Sequence, residues 1–224
     1  MSGAVAGGRG VLISLEGVDG CGKSSQLRRL RDALVRRGVP VGVVGRPGGT
    51  LREPGGTPLG ESIRRQLLHH RHHMDPWAEA LLYAAARAQL TRSVLVPSLE
   101  AGWVVLIDRF IDSSLAYQGY ARGLGVDRVL DLNLTATGGL LPDLTVIVAL
   151  DPQVAAARRT AAPDRIEREG LELQRRVAEG YALLAERFAG RVHVVDGDRP
   201  RAAVASDVLR IATAVLERTP CSRA

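Results

Sequence analysis

The chain of 224 residues is long enough for one α/β domain, and its 46% hydrophobic and 24% charged residues are ordinary for a soluble globular protein. It lacks an apolar run of the ~20 residues that a membrane span needs, and its first ten residues look like neither a signal nor a transit peptide, so we expect a cytoplasmic protein. The net charge of +6 is compatible with an anionic ligand. Only 4% of the residues are aromatic, so few side chains are available to stack on nucleic-acid bases.

Apolar runs and helical spacings alternate along the chain. In order, the first half predicts a strand at 11–15, a helix that ends at 37, a strand at 39–44, a Gly- and Pro-rich loop at 45–56, a helix at 57–68 and a helix from 76 into the nineties. The second half predicts a strand at 103–107, helices at 112–119 and 126–136, a strand at 144–150, a helix at 165–189, a strand at 192–195 and a helix at 201–217.

Alternating strands and helices predict an α/β fold, in which a five-stranded parallel sheet is covered by helices on both faces as a three-layer sandwich. Ligands of such sheets bind at the carboxyl ends of the strands. We expect a flexible N-terminus at 1–10, a single domain at 11–218 and a C-terminal tail at 219–224.

The first strand is followed by a Gly-rich loop with the spacing G-x-x-x-x-G-K-S, which is the Walker A signature of P-loop proteins. Successive backbone N–H groups of such a loop surround phosphate, and the helix N-terminus adds positive potential. Lys23 is expected to reach the β and γ phosphates, and Ser24 to bind Mg²⁺. The predicted ATP-binding residues are Gly17, Val18, Asp19, Gly20, Cys21, Gly22, Lys23, Ser24 and Ser25.

Lys23 is the only lysine among the 30 basic residues, all others being arginine. A compact ammonium fits between phosphate oxygens inside a tight turn, where a planar guanidinium is too bulky. Chance would place a lone lysine at this position about once in 224 trials. The composition therefore supports the phosphate-binding interpretation of the loop.

Asp108 and Arg109 end the strand at 103–107, where they are expected to lie beside the P-loop. A carboxylate there can hold Mg²⁺ or its waters, and the arginine can bind a phosphate in bidentate fashion. A cluster of arginines, Arg158, Arg159 and Arg165, follows the strand at 144–150. A solvated ion pair and a solvated charged face are the alternatives for these two features.

The cysteines and a run of histidines also suggest specific chemistry, a disulfide and a metal site, and neither is expected. Cys21 and Cys221 are expected to be free thiols, because two separated cysteines do not form a disulfide scaffold. The histidine-rich run from His69 to His73 suggests a metal site, but no cysteine or carboxylate nearby completes a ligand set. A solvated loop is the favoured interpretation of this run.

Seven segments in the same order resemble the thymidylate kinase family over nearly the whole chain, and the likeness is specific because all seven occur together. They are Glu16-Gly17-Val18-Asp19-Gly20-Cys21-Gly22-Lys23-Ser24, Arg52-Glu53-Pro54-Gly55-Gly56-Thr57, Leu81-Leu82-Tyr83-Ala84-Ala85-Ala86-Arg87, Asp108-Arg109-Phe110, Ser113-Ser114-Leu115-Ala116-Tyr117-Gln118-Gly119, Pro142-Asp143-Leu144-Thr145 and Asp164-Arg165-Ile166-Glu167.

The resemblance implies a P-loop kinase that transfers the γ-phosphoryl group of ATP to dTMP with Mg²⁺, giving dTDP and ADP. It implies dTMP binding by Glu53, Pro54, Tyr83, Arg87, Arg109, Ser114, Tyr117 and Gln118. It implies catalytic roles for Asp19, Lys23, Arg109, Arg158, Arg159 and Arg165, and a metal site at Ser24 and Asp108. Similar kinases are homodimers, so a homodimer is expected, with neither nucleic acid nor membrane as a partner.

The resemblance also places a lid at about 156–166. The P-loop has Gly20 and Cys21 where some family members carry a catalytic arginine, so the lid arginines are expected to supply that charge. Arg87 is expected at the thymine edge or the acceptor phosphate, Tyr83 stacked on the base, and the loop at Glu53 and Pro54 on the deoxyribose side. The Glu53–Pro54 bond is a candidate for the cis form.

This sequence departs from the family pattern at several positions. Tyr83 stands in place of the usual Phe, and Ala86 where a polar residue is frequent; the lid is short, and Leu173 and Ala178 replace larger residues. These differences leave open a kinase of another nucleoside monophosphate, or a weakly catalytic P-loop protein that binds nucleotide. A nucleic-acid-dependent ATPase is a third alternative, suggested by the basic charge alone.

Overall fold

A sheet of five parallel strands organises the chain in the computed structural model, which describes residues 9–69, 73–159 and 162–218. The described strands are β1 Leu12–Glu16, β2 Gly42–Val43, β3 Arg46–Pro47, β4 Leu51–Arg52, β5 Val105–Asp108, β6 Leu144–Ala149 and β7 Val192–Asp196. The described α-helices are α1 Lys23–Arg36, α2 Pro58–His69, α3 Pro76–Leu90, α4 Val96–Glu100, α5 Ile111–Ser114, α6 Val126–Thr137, α7 Pro152–Ala157, α8 Leu171–Arg187 and α9 Arg201–Arg218.

The strand order of the sheet is β4-β5-β1-β6-β7, and every neighbouring pair is parallel. Strand β1 is central and every one of its residues is buried, as expected for a strand covered on both faces. Its last residues, Leu15 and Glu16, are in register with Asp108 of β5 and Ile147 of β6. The predicted parallel sheet flanked by helices is confirmed, and its carboxyl ends meet beside the Gly-rich loop.

The second strand predicted for the sheet is confirmed only at one point, because Val41 forms a single isolated parallel bridge with Val104, just before β5. Only Gly42–Val43 of the predicted strand at 39–44 is a strand, and it pairs with β3 in a separate antiparallel hairpin. Gly42 and Gly45 have φ values of 151° and 77°, which turn the chain back on itself. The fifth strand of the sheet is β4, which lies within the predicted loop at 45–56. With two residues, β4 is too short to produce an apolar run.

Two helices begin at an Asp-Pro pair. Asp75 accepts a hydrogen bond from the backbone N–H of Trp77 at 2.8 Å, and Pro76 opens α3. Asp151 caps α7 in the same way, with Pro152 as the first helical residue. Aspartate satisfies an unpaired N–H group at the N-cap, and proline has the φ angle of a first helical residue. These pairs therefore provide a local signal for both helix starts.

Two predicted helices differ in detail from the structure. The helix predicted at 112–119 is α5 followed by a π-helical turn, Leu115–Ala121, a geometry that often occurs at functional sites. The helix predicted at 165–189 begins at Leu171, because Gly170 has a φ of 91° and interrupts it after a 3₁₀ turn, Glu167–Glu169. Another π-helical turn, Thr91–Leu95, joins α3 to α4. None of the described helices is long and apolar enough to cross a membrane.

A buried ion pair joins α5 to the start of β7. The Asp112 carboxylate has no exposed surface and receives two hydrogen bonds of 2.8 Å from Arg191, together with one of 2.6 Å from the Thr145 hydroxyl. The guanidinium of Arg191 also lies over the Phe188 ring, 4.8 Å from its centroid. A buried carboxylate depends on such partners, because desolvation of an unpaired charge is costly.

We therefore expect Arg191→Ala to lower the free energy of unfolding by about 3–5 kcal/mol, since it leaves the Asp112 carboxylate buried without its cation. Arg187→Ala is the matched control, because Arg187 also lies over Phe188 but pairs with the exposed Asp127. It is expected to change stability little. Urea unfolding of both variants measures the difference, and equal losses in the two would contradict the assigned role of the buried pair.

Candidate active site

A cavity of about 340 Å³ opens at the carboxyl ends of β4, β5 and β1, beside the start of α1. From the predicted P-loop it is lined by Asp19, Gly20, Gly22, Lys23, Ser24 and Ser25. From the predicted dTMP-binding set it is lined by Glu53, Pro54, Tyr83, Arg109, Ser114, Tyr117 and Gln118, and from the predicted metal site by Asp108. The topology thus brings residues of all three predicted sets, distant in sequence, to one cavity.

The Gly-rich loop between β1 and α1 needs glycine for steric reasons. Gly20 has a φ of 90°, and a Cβ atom there would lie 2.2 Å from the carbonyl oxygen of Ala155. Gly17 and Gly22 have φ values of 136° and 100°. Lys23 is 6% exposed, and its ammonium group donates to the carbonyl oxygens of Gly17 and Val18 at 3.0 and 2.9 Å. The loop therefore holds its single ammonium group among backbone dipoles.

The residues expected to bind metal lie side by side. Ser24 lies in the first turn of α1, and its hydroxyl donates to the Oδ2 atom of Asp108 at 2.5 Å. A hydroxyl and a carboxylate at the edge of a phosphate-binding loop provide the hard oxygen ligands that Mg²⁺ prefers. This donor set fits a magnesium ion that is bound jointly by protein and nucleotide.

Arg109 is the centre of the polar wall opposite the loop. Its Nη2 atom donates to Asp19 at 2.5 Å and to the Tyr117 hydroxyl at 3.2 Å, and its guanidinium lies 5.1 Å from the centroid of the Tyr117 ring. Burial favours a raised pKa for the Asp19 carboxyl, but the charges of Arg109 and Lys23 hold that pKa well below its usual range. Asp19 is therefore an anion throughout the neutral pH range.

The backbone of Arg109 is in the left-handed region, with a φ of 69°. This conformation is uncommon for a residue with a long side chain and is retained where the surroundings enforce it. The backbone N–H of Arg109 donates to the carbonyl oxygen of Leu15 at 3.1 Å. The turn that follows β5 thereby directs the guanidinium across the end of β1.

Glu16 and Tyr181 support Arg109 from behind and were not among the predicted site residues. The Tyr181 hydroxyl accepts a hydrogen bond from Nη1 of Arg109 at 3.1 Å and donates to Oε2 of Glu16 at 2.9 Å. Burial, with a smaller contribution from the charge of Asp112, raises the pKa of Glu16 to about 7. A carboxyl group in a buried strand next to the P-loop was the sequence signal that could have identified Glu16.

Arg87 lies in the wall behind the cavity and does not line it. Its side chain is completely buried and forms two hydrogen bonds to Oε2 of Glu53, at 2.9 and 2.8 Å. It also contacts Ser114, Asn133 and the carbonyl oxygen of Phe110. Arg87 therefore positions two predicted dTMP-binding residues, Glu53 and Ser114, from behind.

Glu53 offers an unused acceptor at the cavity wall. It is 2% exposed, and its Oε1 atom has no hydrogen-bond partner among the described residues. Burial raises the pKa of Glu53, and the charge of Arg87 opposes this rise. The Glu53–Pro54 peptide bond is cis, which confirms the expectation for this tight loop. A ligand hydroxyl or N–H group can satisfy Oε1 of Glu53.

Two arginines of the cavity were missed in the sequence. Arg52 ends β4 and Arg64 lies on α2, and both line the cavity. The pKa of Arg64 is lowered by burial and by the charge of Arg52, so the two cations are close together. Neighbouring arginines that face one cavity form a site for an anion. Arg52 lies within the predicted Gly- and Pro-rich loop at 45–56 and Arg64 on the helix predicted directly after it, and this proximity was the available signal.

The three predicted lid arginines have different surroundings, although residues 160 and 161 of the lid lie outside the described part of the chain. Arg158 donates to the carbonyl oxygen of Gly197 and to Asp198, at 3.1 and 2.9 Å. Arg165 is bound to Glu79 and to the carbonyl oxygen of Leu67.

Of the three, Arg159 lies next to the P-loop. A Cβ atom at Gly20 would be 3.0 Å from its Cγ atom, and Arg159 lines a small cavity together with Asp19. Its guanidinium forms an ion pair of 3.3 Å with Glu167.

Glu79 connects the lid to the cavity wall. It is 1% exposed and binds Arg165 of the lid, Arg122 after the π-helical turn, and the side-chain amide of Gln118 at 2.8 Å. Burial favours a raised pKa for Glu79, but its two arginine partners lower the pKa below the usual value. The amide orientation of Gln118 is thereby set by an ionised carboxylate.

The suggested histidine site is only partly described, since residues 70–72 lie outside the described part of the chain. Within the described residues no group of three His, Cys, Asp or Glu side chains is arranged to hold a metal ion.

The comparisons with known proteins agree on one family. The family model described as thymidylate kinase matches residues 15–208. A thymidylate kinase of Thermoanaerobacter sp. (strain X514) is 42% identical over 91% of this chain and 97% of that protein. The thymidylate kinase of Pelotomaculum thermopropionicum is 46% identical over 93% of this chain and 95% of that protein. The thymidylate kinase of Gloeobacter violaceus is 48% identical over 83% of this chain and 86% of that protein.

The matched region extends from the end of β1 into α9 and contains the whole cavity described above. The P-loop, the Arg109 wall and the lid arginines all lie within it. On the extent of these matches, the chain belongs to the thymidylate kinase family.

Proposed function

We propose that the protein transfers the γ-phosphoryl group of ATP to the phosphate of dTMP, giving dTDP and ADP. The observation that carries this proposal is the partly buried Arg109 guanidinium, which lines the same cavity as the P-loop and lies 2.5 Å from Asp19. A cation at this position can hold an acceptor phosphate in line with a donor phosphate on the loop.

ATP binds with its phosphates on the Gly-rich loop. Lys23 moves from the carbonyl oxygens of the loop to the phosphate oxygens, and the N–H groups at the start of α1 complete the cradle. Ser24 and Asp108 hold the Mg²⁺ ion, in part through water. A magnesium ion held there would supply positive charge that offsets the negative charge of the nucleotide phosphates.

dTMP occupies the cavity of about 340 Å³. Tyr83 stacks on the thymine ring, while Ser114 and Gln118 form hydrogen bonds with its edge. Glu53, through its unpaired Oε1 atom, accepts a hydrogen bond from the deoxyribose hydroxyl. The ring of Tyr117 lies on the sugar side and disfavours a ribose 2′-hydroxyl.

The reaction needs no strong general base, because the acceptor phosphate is already an anion. One of its oxygens forms the new bond to the γ-phosphorus, while the bond from that phosphorus to the β–γ bridging oxygen breaks and leaves ADP. Arg109 holds the acceptor and Asp19 orients it or the metal-bound waters. Catalysis then rests on positioning and on charge neutralisation within a site from which water is excluded.

The lid supplies the further positive charge that stabilises the phosphoryl group during transfer. Arg159 is the best placed of the three arginines, because it already lies over Gly20, whereas Arg158 and Arg165 are bound to Asp198 and Glu79. Closure of the lid exchanges the ion pair of Arg159 with Glu167 for contact with the transferred phosphoryl group.

We also propose that the protein forms a homodimer. The 53% exposed Leu81 on α3 is a large apolar side chain that a partner subunit could cover. We further propose a cytoplasmic location.

The lid assignment predicts that Arg159→Ala lowers kcat by roughly 10²–10³-fold, because it removes a preorganised cation from the transition state. The matched control Arg158→Ala, which removes the neighbouring arginine, is expected to change kcat less than tenfold. Steady-state rates of ADP release by the two variants measure both losses of kcat. A larger loss in the control would transfer the catalytic role to Arg158.

The proposed reaction predicts ADP release that depends on dTMP and on Mg²⁺. A coupled assay across dTMP, dUMP, dCMP, dGMP and UMP should give the highest kcat/KM with dTMP, and Lys23→Ala should lower the rate at least 10²-fold. A higher kcat/KM with another monophosphate would show that this monophosphate, and not dTMP, is the preferred acceptor. ATP binding without acceptor-dependent ADP release would indicate a weakly catalytic nucleotide-binding protein.

A further inference from the structure

Glu16 and Tyr181, to which the proposed reaction assigns no role, form a chain of hydrogen bonds that ends on Arg109. Glu16 ends the central strand and has no exposed surface, and Tyr181 of α8 is 2% exposed. The Tyr181 hydroxyl lies between them, 2.9 Å from Oε2 of Glu16 and 3.1 Å from Nη1 of Arg109. We call Glu16 and Tyr181 the relay.

The other contacts of Glu16 fix the direction of this chain. Oε1 of Glu16 accepts from the Ser14 hydroxyl and from the backbone N–H of Phe110, each at 2.7 Å. Both are donors, so Oε2 remains for Tyr181. With Glu16 ionised, Tyr181 donates its proton to Oε2, and its oxygen lone pairs face the Nη1 atom of Arg109.

A close approach of two helices brings Tyr181 to this position. A Cβ atom at Gly180 would lie 3.1 Å from the carbonyl oxygen of Ala116 and from the Cβ atom of Tyr120, both in the π-helical turn. Glycine is therefore what allows α8 to contact this turn, and Tyr181 follows directly. The turn also carries Tyr117, which contacts Nη2 of Arg109.

The two ends of the Arg109 guanidinium have different kinds of partner. Nη2 is bound to Asp19 and Tyr117, which both line the cavity. Nη1 is bound to Tyr181, which approaches from α8 and is not part of the cavity lining. An acceptor phosphate that competes with Asp19 for Nη2 leaves the contact with Tyr181 intact.

Resting on the proposed function, we propose that Glu16 and Tyr181 are positioning residues that hold Arg109 towards the acceptor phosphate, with Tyr181 passing the charge state of Glu16 to the guanidinium. An ionised Glu16 makes Tyr181 an acceptor for Arg109. A protonated Glu16 carries a hydrogen on Oε2 that points at the Tyr181 oxygen and competes with Nη1. The affinity for the acceptor phosphate then depends on the proton at Glu16.

The groups that face Glu16 make this dependence measurable near neutral pH. They are Ser14 on its own strand, Tyr181 on α8, Asp112 on α5, and Arg109 with the Phe110 N–H after β5. Burial and the charge of Asp112 raise the pKa of Glu16, whereas Arg109 lowers it, with the net result of about 7. Glu16 therefore gains its proton as the pH falls through this value.

Three relay variants test the proposal: Tyr181→Phe, Glu16→Gln and the double variant. Isothermal titration calorimetry at pH 8 measures binding of dTMP and of thymidine, which lacks the phosphate. Each single variant should weaken dTMP binding about tenfold and leave thymidine binding unchanged, because one hydrogen bond to a charged group is lost. The double variant should be no weaker than the worse single variant, since both changes break the same chain.

Tyr120→Phe is the matched control. Tyr120 contacts the same helix pair, but its hydroxyl bonds to Glu179 at 3.3 Å and does not belong to the relay. It should bind dTMP as the wild type does. Three results would each overturn the relay. They are losses of dTMP affinity that add in the double variant, equal losses of affinity for dTMP and thymidine, and a loss of dTMP affinity in Tyr120→Phe as large as in the relay variants. Unfolding curves confirm that every variant is folded at the assay temperature.

A pH series from 6 to 8.5 separates the relay from the titration of the ligand. The second phosphate pKa of dTMP is about 6 and weakens binding at low pH in every variant. The wild type should show an additional loss below about pH 7, and Glu16→Gln should show only the loss that belongs to the ligand. Identical profiles for the two proteins would overturn the proposal.

Failure of the proposed function has a different signature. In that case the wild type does not bind dTMP more tightly than thymidine, or prefers another monophosphate. The relay is then tested with the monophosphate that the wild type binds, against the corresponding nucleoside. Weaker binding of that monophosphate in Tyr181→Phe supports the relay, and unchanged binding overturns it.

Discussion

The guanidinium of Arg109 lies between two carboxylates, with Asp19 in direct contact at 2.5 Å and Glu16 reached through the Tyr181 hydroxyl. Its backbone is left-handed, so the turn after β5 holds it in a conformation that a free chain rarely adopts. Strand β1 supplies Glu16, the P-loop supplies Asp19, and α8 supplies Tyr181. The sheet order, the glycine-rich loop and the packing of α8 therefore converge on the placement of one cation.

The glycines of the fold serve close approach as well as turns. Gly20 allows the P-loop to contact Ala155 at the start of the lid, and Gly180 allows α8 to contact the π-helical turn. The first contact joins the phosphate-binding loop to the segment that leads into the lid, and the second joins α8 to the turn that carries Tyr117. Glu79 provides a further connection, because it binds Arg165 of the lid and Gln118 of the cavity wall. Donor site, acceptor site and lid are thus mechanically linked through the described residues.

Local signals in the sequence were sufficient for the P-loop, whose residues are contiguous, and for the strands that form long apolar runs. Strand β4 was missed because two residues make no run, and the hairpin of β2 and β3 was read as a strand of the sheet because valines flank Gly42. The relay could not be predicted, since Glu16 and Tyr181 are 165 positions apart and their contact arises from helix packing. The position of Arg87 behind the wall likewise depends on Glu53 and Asn133, which only the folded chain brings together.

Arg109 is proposed to bind the acceptor phosphate with Nη2 while Tyr181 holds Nη1. A crystal structure of the protein with dTMP and a non-hydrolysable ATP analogue measures this most directly. We expect Nη2 of Arg109 at about 3 Å from a dTMP phosphate oxygen, with the contact from Nη1 to Tyr181 retained. A dTMP phosphate bound elsewhere, with Arg109 still paired to Asp19 alone, would contradict it.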